Sequence, residues 1–194
     1  MVALMTAGDP PFPVLVSCSA WAVRAVCDDV GDDELVGVVS ITDPGRASPL
    51  RAVIPSTRLL ELQFRDVSVS EDEWRVRWGG DLEDLFSLGN VRALVEFAAS
   101  SNKQRSHHPE GGSVVVHCGQ GISRSTAVTA ILAAAWGLEP HDAILEARNA
   151  HDRRRHLSLP RPWTPNRRVL KLGSHTLFGD ERLLDAYDAY CSDN

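Results

Sequence analysis

Between Ser113 and Gly137 the chain allows little structural choice. Three consecutive valines, Val114 to Val116, lead through His117 and Cys118 into a short loop holding Gly119 and Gly121, and an Ala-rich stretch then runs from Ser123 to Trp136. An apolar run of strand length with no alternation reads as a strand covered on both faces. The stretch after it has helical composition, and Gly137 is its stop signal. A buried strand passing straight into a helix is the repeating unit of α/β sheets.

Similar units precede it. Residues 1–13, with Gly8, Pro10, Pro11 and Pro13, read as an extended arm before a single domain over 14–194. Val14 to Cys18 is expected to be a strand, followed by a short helix over Ala20 to Val26 and an acidic loop at Asp28, Asp29, Asp32 and Asp33. Leu35 to Thr42 is a second strand, stopped by Asp43-Pro44-Gly45, and Arg58 to Phe64 a third. Residues 67–80 lack a clean period and are expected to form a loop flanking the site. From Asp81 the positions Leu82, Leu85, Phe86, Val91, Leu94, Val95 and Ala98 recur at helical spacing, with a break at Gly89-Asn90, and Ser100 to Gly112 reads as turn. Pro140 opens a further helix to Ala150, and Thr164-Pro165 caps another to Leu172. The expected fold is a single α/β domain with a mostly parallel sheet of four or five strands and helices on both faces. In such sheets ligands gather beyond the carboxyl ends of the strands.

Composition narrows the class. A net charge of −6 argues against binding driven by a basic surface, so neither nucleic acid nor a membrane is expected as partner. No apolar run reaches the length of a span, and Met1 to Ala20 lacks the pattern of a signal peptide, which predicts a cytoplasmic protein. Cys18, Cys27, Cys118 and Cys191 form no CxxC pair and no metal spacing, so reduced thiols are expected. Eighteen arginines against two lysines fit a GC-rich, bacterial genome.

Chemistry concentrates in the Val114 to Thr126 segment. Amide N–H groups of a tight strand-to-helix loop converge on one point, and the helix start adds roughly half a positive charge. An unperturbed cysteine is only a few per cent ionised at neutral pH. A thiol at the mouth of such a loop is shifted toward its charged, nucleophilic form. Gly119 and Gly121 are expected to permit backbone angles and close approaches that side chains would obstruct. Arg124, six residues beyond Cys118, can place its planar fork on two oxygens of a tetrahedral anion, which lysine cannot do.

His117-Cys118, five residues, then Arg124-Ser125 resembles the signature of the cysteine-dependent protein tyrosine phosphatases, particularly the dual-specificity branch with its Gly-x-Ser-Arg-Ser ending. The resemblance implies a phosphotyrosine phosphatase-like fold, no cofactor and no metal. It also implies hydrolysis of phosphate monoesters through a phosphocysteine, with Cys118 as nucleophile and Arg124 as phosphate ligand in ground and transition states. Ser125 would hydrogen-bond the departing thiolate, and His117 would orient the loop and support the ionised sulfur rather than act as a base. Gly119, Gln120, Gly121, Ile122 and Ser123 would supply the phosphate cup. The family takes its general acid from an upstream loop. Asp66 is the candidate, delivered by the strand ending at Phe64; its long separation from Cys118 leaves Asp72 and Asp81 as rivals.

The expected substrate is a phosphorylated protein or small phosphoester, with phosphotyrosine first and dual specificity open, acted on by a monomer. Two other readings stay open: a phosphatase of inositol phosphate, phosphoinositide or RNA 5′ ends, and a silent phosphate-binding module. The absence of lysine in the loop weighs against lipid substrates. Residues 148–171 hold eight basic side chains and one acid, including Arg153-Arg154-Arg155-His156, which fits either substrate attraction or a solvated surface. Trp163 is expected to be a packing anchor. Cys18 is read as a core thiol, with a protective disulfide to Cys118 as the alternative. His107, His108, His141, His151 and His175 show no ligand pattern.

Overall fold

Four apolar runs become four parallel strands in the computed structural model, which describes residues 12–105, 107–108, 111–153 and 163–193. They are β1 (Val14–Ser19), β2 (Leu35–Thr42), β3 (Leu59–Gln63) and β4 (Ser113–Cys118). Their order is β1-β4-β2-β3, all parallel, so every carboxyl end points to the same edge. The chain is an α/β fold with one such sheet. Seven α-helices accompany it among the described residues: α1 (Val23–Val30), α2 (Glu71–Trp78), α3 (Leu88–Arg105), α4 (Arg124–Ala135), α5 (Pro140–Asp152), α6 (Arg167–Phe178) and α7 (Arg182–Asp193).

Side-chain alternation along the strands builds two cores. Val16, Cys18, Val38 and Val115 face α1 and its Val23, Val26 and Cys27. Leu15, Val39, Ile41, Val114, Val116 and Cys118 face the larger core made with α3 to α7. An irregularity between Leu35 and Gly37 interrupts the β2–β4 register. There a Cβ on Gly37 would lie 2.6 Å from Phe97 Cζ, so glycine admits α3 onto the strand. Helix α4 is buried from Arg124 to Ala134, and its alanines let β4, α5 and α6 close around it. Among the described residues no helix is long and apolar enough to cross a membrane.

Several local expectations need correction. Residues 67–80 contain helix α2, which buries no side chain and therefore shows no apolar period. Its start is local: Ser70 Oγ accepts from the Glu73 N–H at 3.2 Å, and Arg77 pairs with Glu73 one turn on. Helix α1 extends to Val30 and takes in Asp28 and Asp29. Residues 82–84 form a 3₁₀ turn, Gly89-Asn90 lies inside the first turn of α3, and α3 continues to Arg105 through residues read as turn. Helix α6 is capped not by Thr164 but by Asn166, whose Oδ1 accepts from the Val169 N–H at 3.1 Å. Helix α7 was not anticipated. Residues 1–11 of the expected arm lie outside the described residues; Phe12 stacks on Trp136 with centroids 5.8 Å apart.

Candidate active site

The carboxyl ends of β2, β3 and β4 deliver Asp43, Asp66 and Cys118 to a cleft of about 690 Å³, which Arg124 and most of the loop before it also line. Cys118 closes β4 and Arg124 opens α4, so the loop spans the gap from strand to helix. The Gly121 N–H donates to Cys118 Sγ at 3.2 Å, and Ser125 Oγ lies 3.4 Å from the same sulfur. Ser125 in turn accepts from Ser17 Oγ at 3.0 Å.

Gly121 is required twice over. Its φ is +78°, and an added Cβ would meet the Cys18 carbonyl carbon at 2.6 Å. Gly119 is different: its φ is not positive, and a Cβ there would meet only Arg124 Nη2, at 3.5 Å, an ordinary contact. The expectation of two obligatory glycines is thus corrected to one. Gly121 lies beneath the cleft rather than on its wall, while Gly119, Gln120, Ile122 and Ser123 line it.

The loop is braced from three elements. His151 on α5 approaches the Gly121 carbonyl, Nδ1 to O 3.1 Å. The Thr164 N–H donates to Ile122 O at 3.1 Å and the Asn166 N–H to Ser123 O at 3.2 Å. The Ala20 N–H donates to Cys118 O at 2.8 Å, which fixes the loop to the end of β1.

The Arg124 guanidinium is only 7 % exposed and is held along one edge. Its Nη1 donates to Asp43 Oδ1 at 2.8 Å and to Phe64 O at 2.7 Å. Its Nε is buried with no hydrogen-bond partner, 3.9 Å from Asp66 Oδ2. A buried guanidinium N–H left unpaired is costly and marks a place where an anionic acceptor belongs.

Asp66 lies just beyond β3, within the cleft. Its Oδ1 accepts from Ser123 Oγ at 2.7 Å and from Asn166 Nδ2 at 2.8 Å, whereas Oδ2 lies 3.9 Å from Arg124 Nε. Asp72 sits in the first turn of α2 and Asp81 caps the 3₁₀ turn; neither lines the cleft.

His117 alternates with Cys118 and turns to the opposite face, fully buried. Neither ring nitrogen has a hydrogen-bond partner of good geometry. Burial pushes its imidazole down to about 4, with the Cys118 backbone opposing, so the ring is neutral near pH 7 and brings no positive charge to the sulfur. Cys18 packs in the α1 core and Cys118 in the other, and no disulfide joins them. Cys27 is an inert core thiol, raised to about 11 chiefly by burial.

The basic segment is largely neutralised where described. Arg148 pairs with Asp152, Arg153 with Glu146, Arg167 with Asp188, Arg168 with Glu71 and Lys171 with Glu181. Arg154, Arg155 and His156 lie outside the described residues. Trp163 packs edge-on against Tyr187 and Tyr190, as an anchor should. Sequence reasoning missed Ser17, Asp43, His151 and Asn166. Of these, Ser17 carried a signal, as a hydroxyl inside an apolar strand. No family model matches the chain, and no curated protein matches it.

Proposed function

We propose that the chain is a protein-tyrosine-phosphatase-like phosphomonoesterase that works through a phosphocysteine. The observation that carries this reading is the half-satisfied Arg124: one edge is locked by Asp43 and Phe64, while the buried Nε, 3.9 Å from Asp66 Oδ2, has no hydrogen-bond acceptor. Two oxygens of a phosphoryl group would fill that role. In the first step Cys118 Sγ attacks phosphorus, the ester P–O bond breaks, and Asp66 Oδ2 gives its proton to the leaving oxygen. In the second, water attacks phosphorus, Asp66 takes back a proton, and the S–P bond breaks to return thiolate and inorganic phosphate.

The cleft wall favours an aryl ester on a protein over a polyphosphorylated small molecule. Pro165, Ile122 and Tyr187 give it apolar surface, whereas Arg124 and Arg167 are its only cations among the described residues. Arg167 is already paired with Asp188, Nη2 to Oδ2 2.8 Å. An inositol polyphosphate would find little spare positive charge.

The test is hydrolysis of para-nitrophenyl phosphate, phosphotyrosyl and phosphoseryl peptides, inositol phosphates and 5′-phosphorylated RNA, with chelator present. Cys118→Ser is expected to abolish turnover and retain phosphopeptide binding, and Arg124→Ala to lose about two to three orders of magnitude in kcat/KM. Asp66→Asn is expected to lower kcat about 100-fold for poor leaving groups, with Asp72→Asn and Asp81→Asn close to wild type. Turnover in Cys118→Ser, or preference for an inositol phosphate, overturns the assignment.

A further inference from the structure

We infer that Ser17 is a positioning residue that directs the hydroxyl proton of Ser125 onto the Cys118 sulfur, and so assists release of the thiolate when the phosphocysteine is hydrolysed. This rests on the phosphocysteine reading above. Ser17 belongs to β1, which pairs with β4 so that Ser17 lies beside Val116 and Ser19 beside Cys118. Its side chain projects to the same face as Leu15, toward the start of α4. There the hydroxyls form a chain, Ser17 Oγ to Ser125 Oγ at 3.0 Å and Ser125 Oγ to Cys118 Sγ at 3.4 Å. Both serines are buried.

Proton counting gives the chain one direction. Each hydroxyl has one proton. Among the described residues, Ser17 Oγ has no hydrogen-bond partner besides Ser125. If Ser125 gave its proton to Ser17, the Ser17 proton would be buried without an acceptor and the sulfur would lose a donor. If Ser17 donates to Ser125, both protons are used and the second ends on the sulfur. Polarisation along such a chain strengthens the terminal bond. Charge on the sulfur is small in the phosphocysteine and returns as the S–P bond breaks, so a donor held there acts chiefly on the second step.

The experiment is pre-steady-state hydrolysis of para-nitrophenyl phosphate by wild type, Ser17→Ala, Ser17→Thr, Ser125→Ala and the Ser17→Ala/Ser125→Ala pair. Ser17→Ala is expected to slow phosphoenzyme hydrolysis roughly three- to tenfold, leaving kcat/KM within about twofold and producing a burst near one equivalent of nitrophenol. Ser17→Thr is expected to restore wild-type behaviour. In the Ser125→Ala background the Ser17 change is expected to add nothing, because the proton it directs is gone. A parallel fall in kcat and kcat/KM, or a full extra factor in the double variant, overturns the inference.

A second readout needs no turnover. The pH midpoint for alkylation of Cys118 by iodoacetamide is expected to rise by roughly half a unit in Ser17→Ala, and not to move further when Ser17→Ala is added to Ser125→Ala. The shift in Ser17→Ala, found together with a wild-type protein that hydrolyses no phosphoester, leaves the relay standing and removes the phosphatase reading. Turnover with neither the burst nor the shift does the reverse.

Discussion

At the scale of single residues, the two loop glycines make opposite predictions. Gly121→Ala forces an alanine into a left-handed conformation, at about 2 kcal/mol, and also drives its Cβ against the Cys18 backbone. Gly119→Ala meets only ordinary contact and is expected to change stability by less than about 0.5 kcal/mol. Urea denaturation of the two variants separates them; equal losses would show that the loop is held differently. Cys118, Arg124 and Asp66 could be read from the sequence because spacing and strand ends are local properties. Asp43 could not: Asp43-Pro44-Gly45 reads first as a turn, and its bond to Arg124 joins positions far apart in the chain. His151 was passed over because only the fold brings α5 under the Gly121 carbonyl.

At the scale of elements, the start of α6 is coupled to Asp66. Asn166 is buried, caps the helix through Oδ1 and reaches Asp66 through Nδ2, so one side chain serves stability and the position of the carboxyl group. Asn166→Ala is expected to cost about 1 kcal/mol of stability and to lower kcat most for poor leaving groups. Asn166→Asp keeps the cap but sets a second carboxylate against Asp66, so it is expected to recover stability without recovering the rate. Thermal melts and kcat on two aryl phosphates of different leaving-group strength check the pair. Strands were legible to within a residue because parallel strands are continuous apolar runs. Helices were less so. The α2 segment presents no buried face to generate a period, and α7 buries only Leu183 and Tyr187.

At the scale of the whole molecule, burial of His117 ties stability to pH. The unfolded chain takes up a proton as pH falls through about 6.5, whereas the folded ring resists until about 4. The unfolded state therefore binds more protons in that window, and stability falls as pH drops from 6.5 to 4, by about 3 kcal/mol in all from this group. His117→Gln is expected to flatten this part of the profile. Urea midpoints for both proteins at pH 7, 5.5 and 4.5 measure the difference, and parallel profiles would contradict it. The sheet order was not legible, since periodicity marks strands without saying which are neighbours. That order, β1-β4-β2-β3, sets a sequence of events during synthesis. The first three strands leave the ribosome with a vacant slot between β1 and β2, and the strand bearing Cys118 is made last and fills it. No nascent chain carries the Cys118 sulfur before the two strands that flank it, β1 and β2, have been translated.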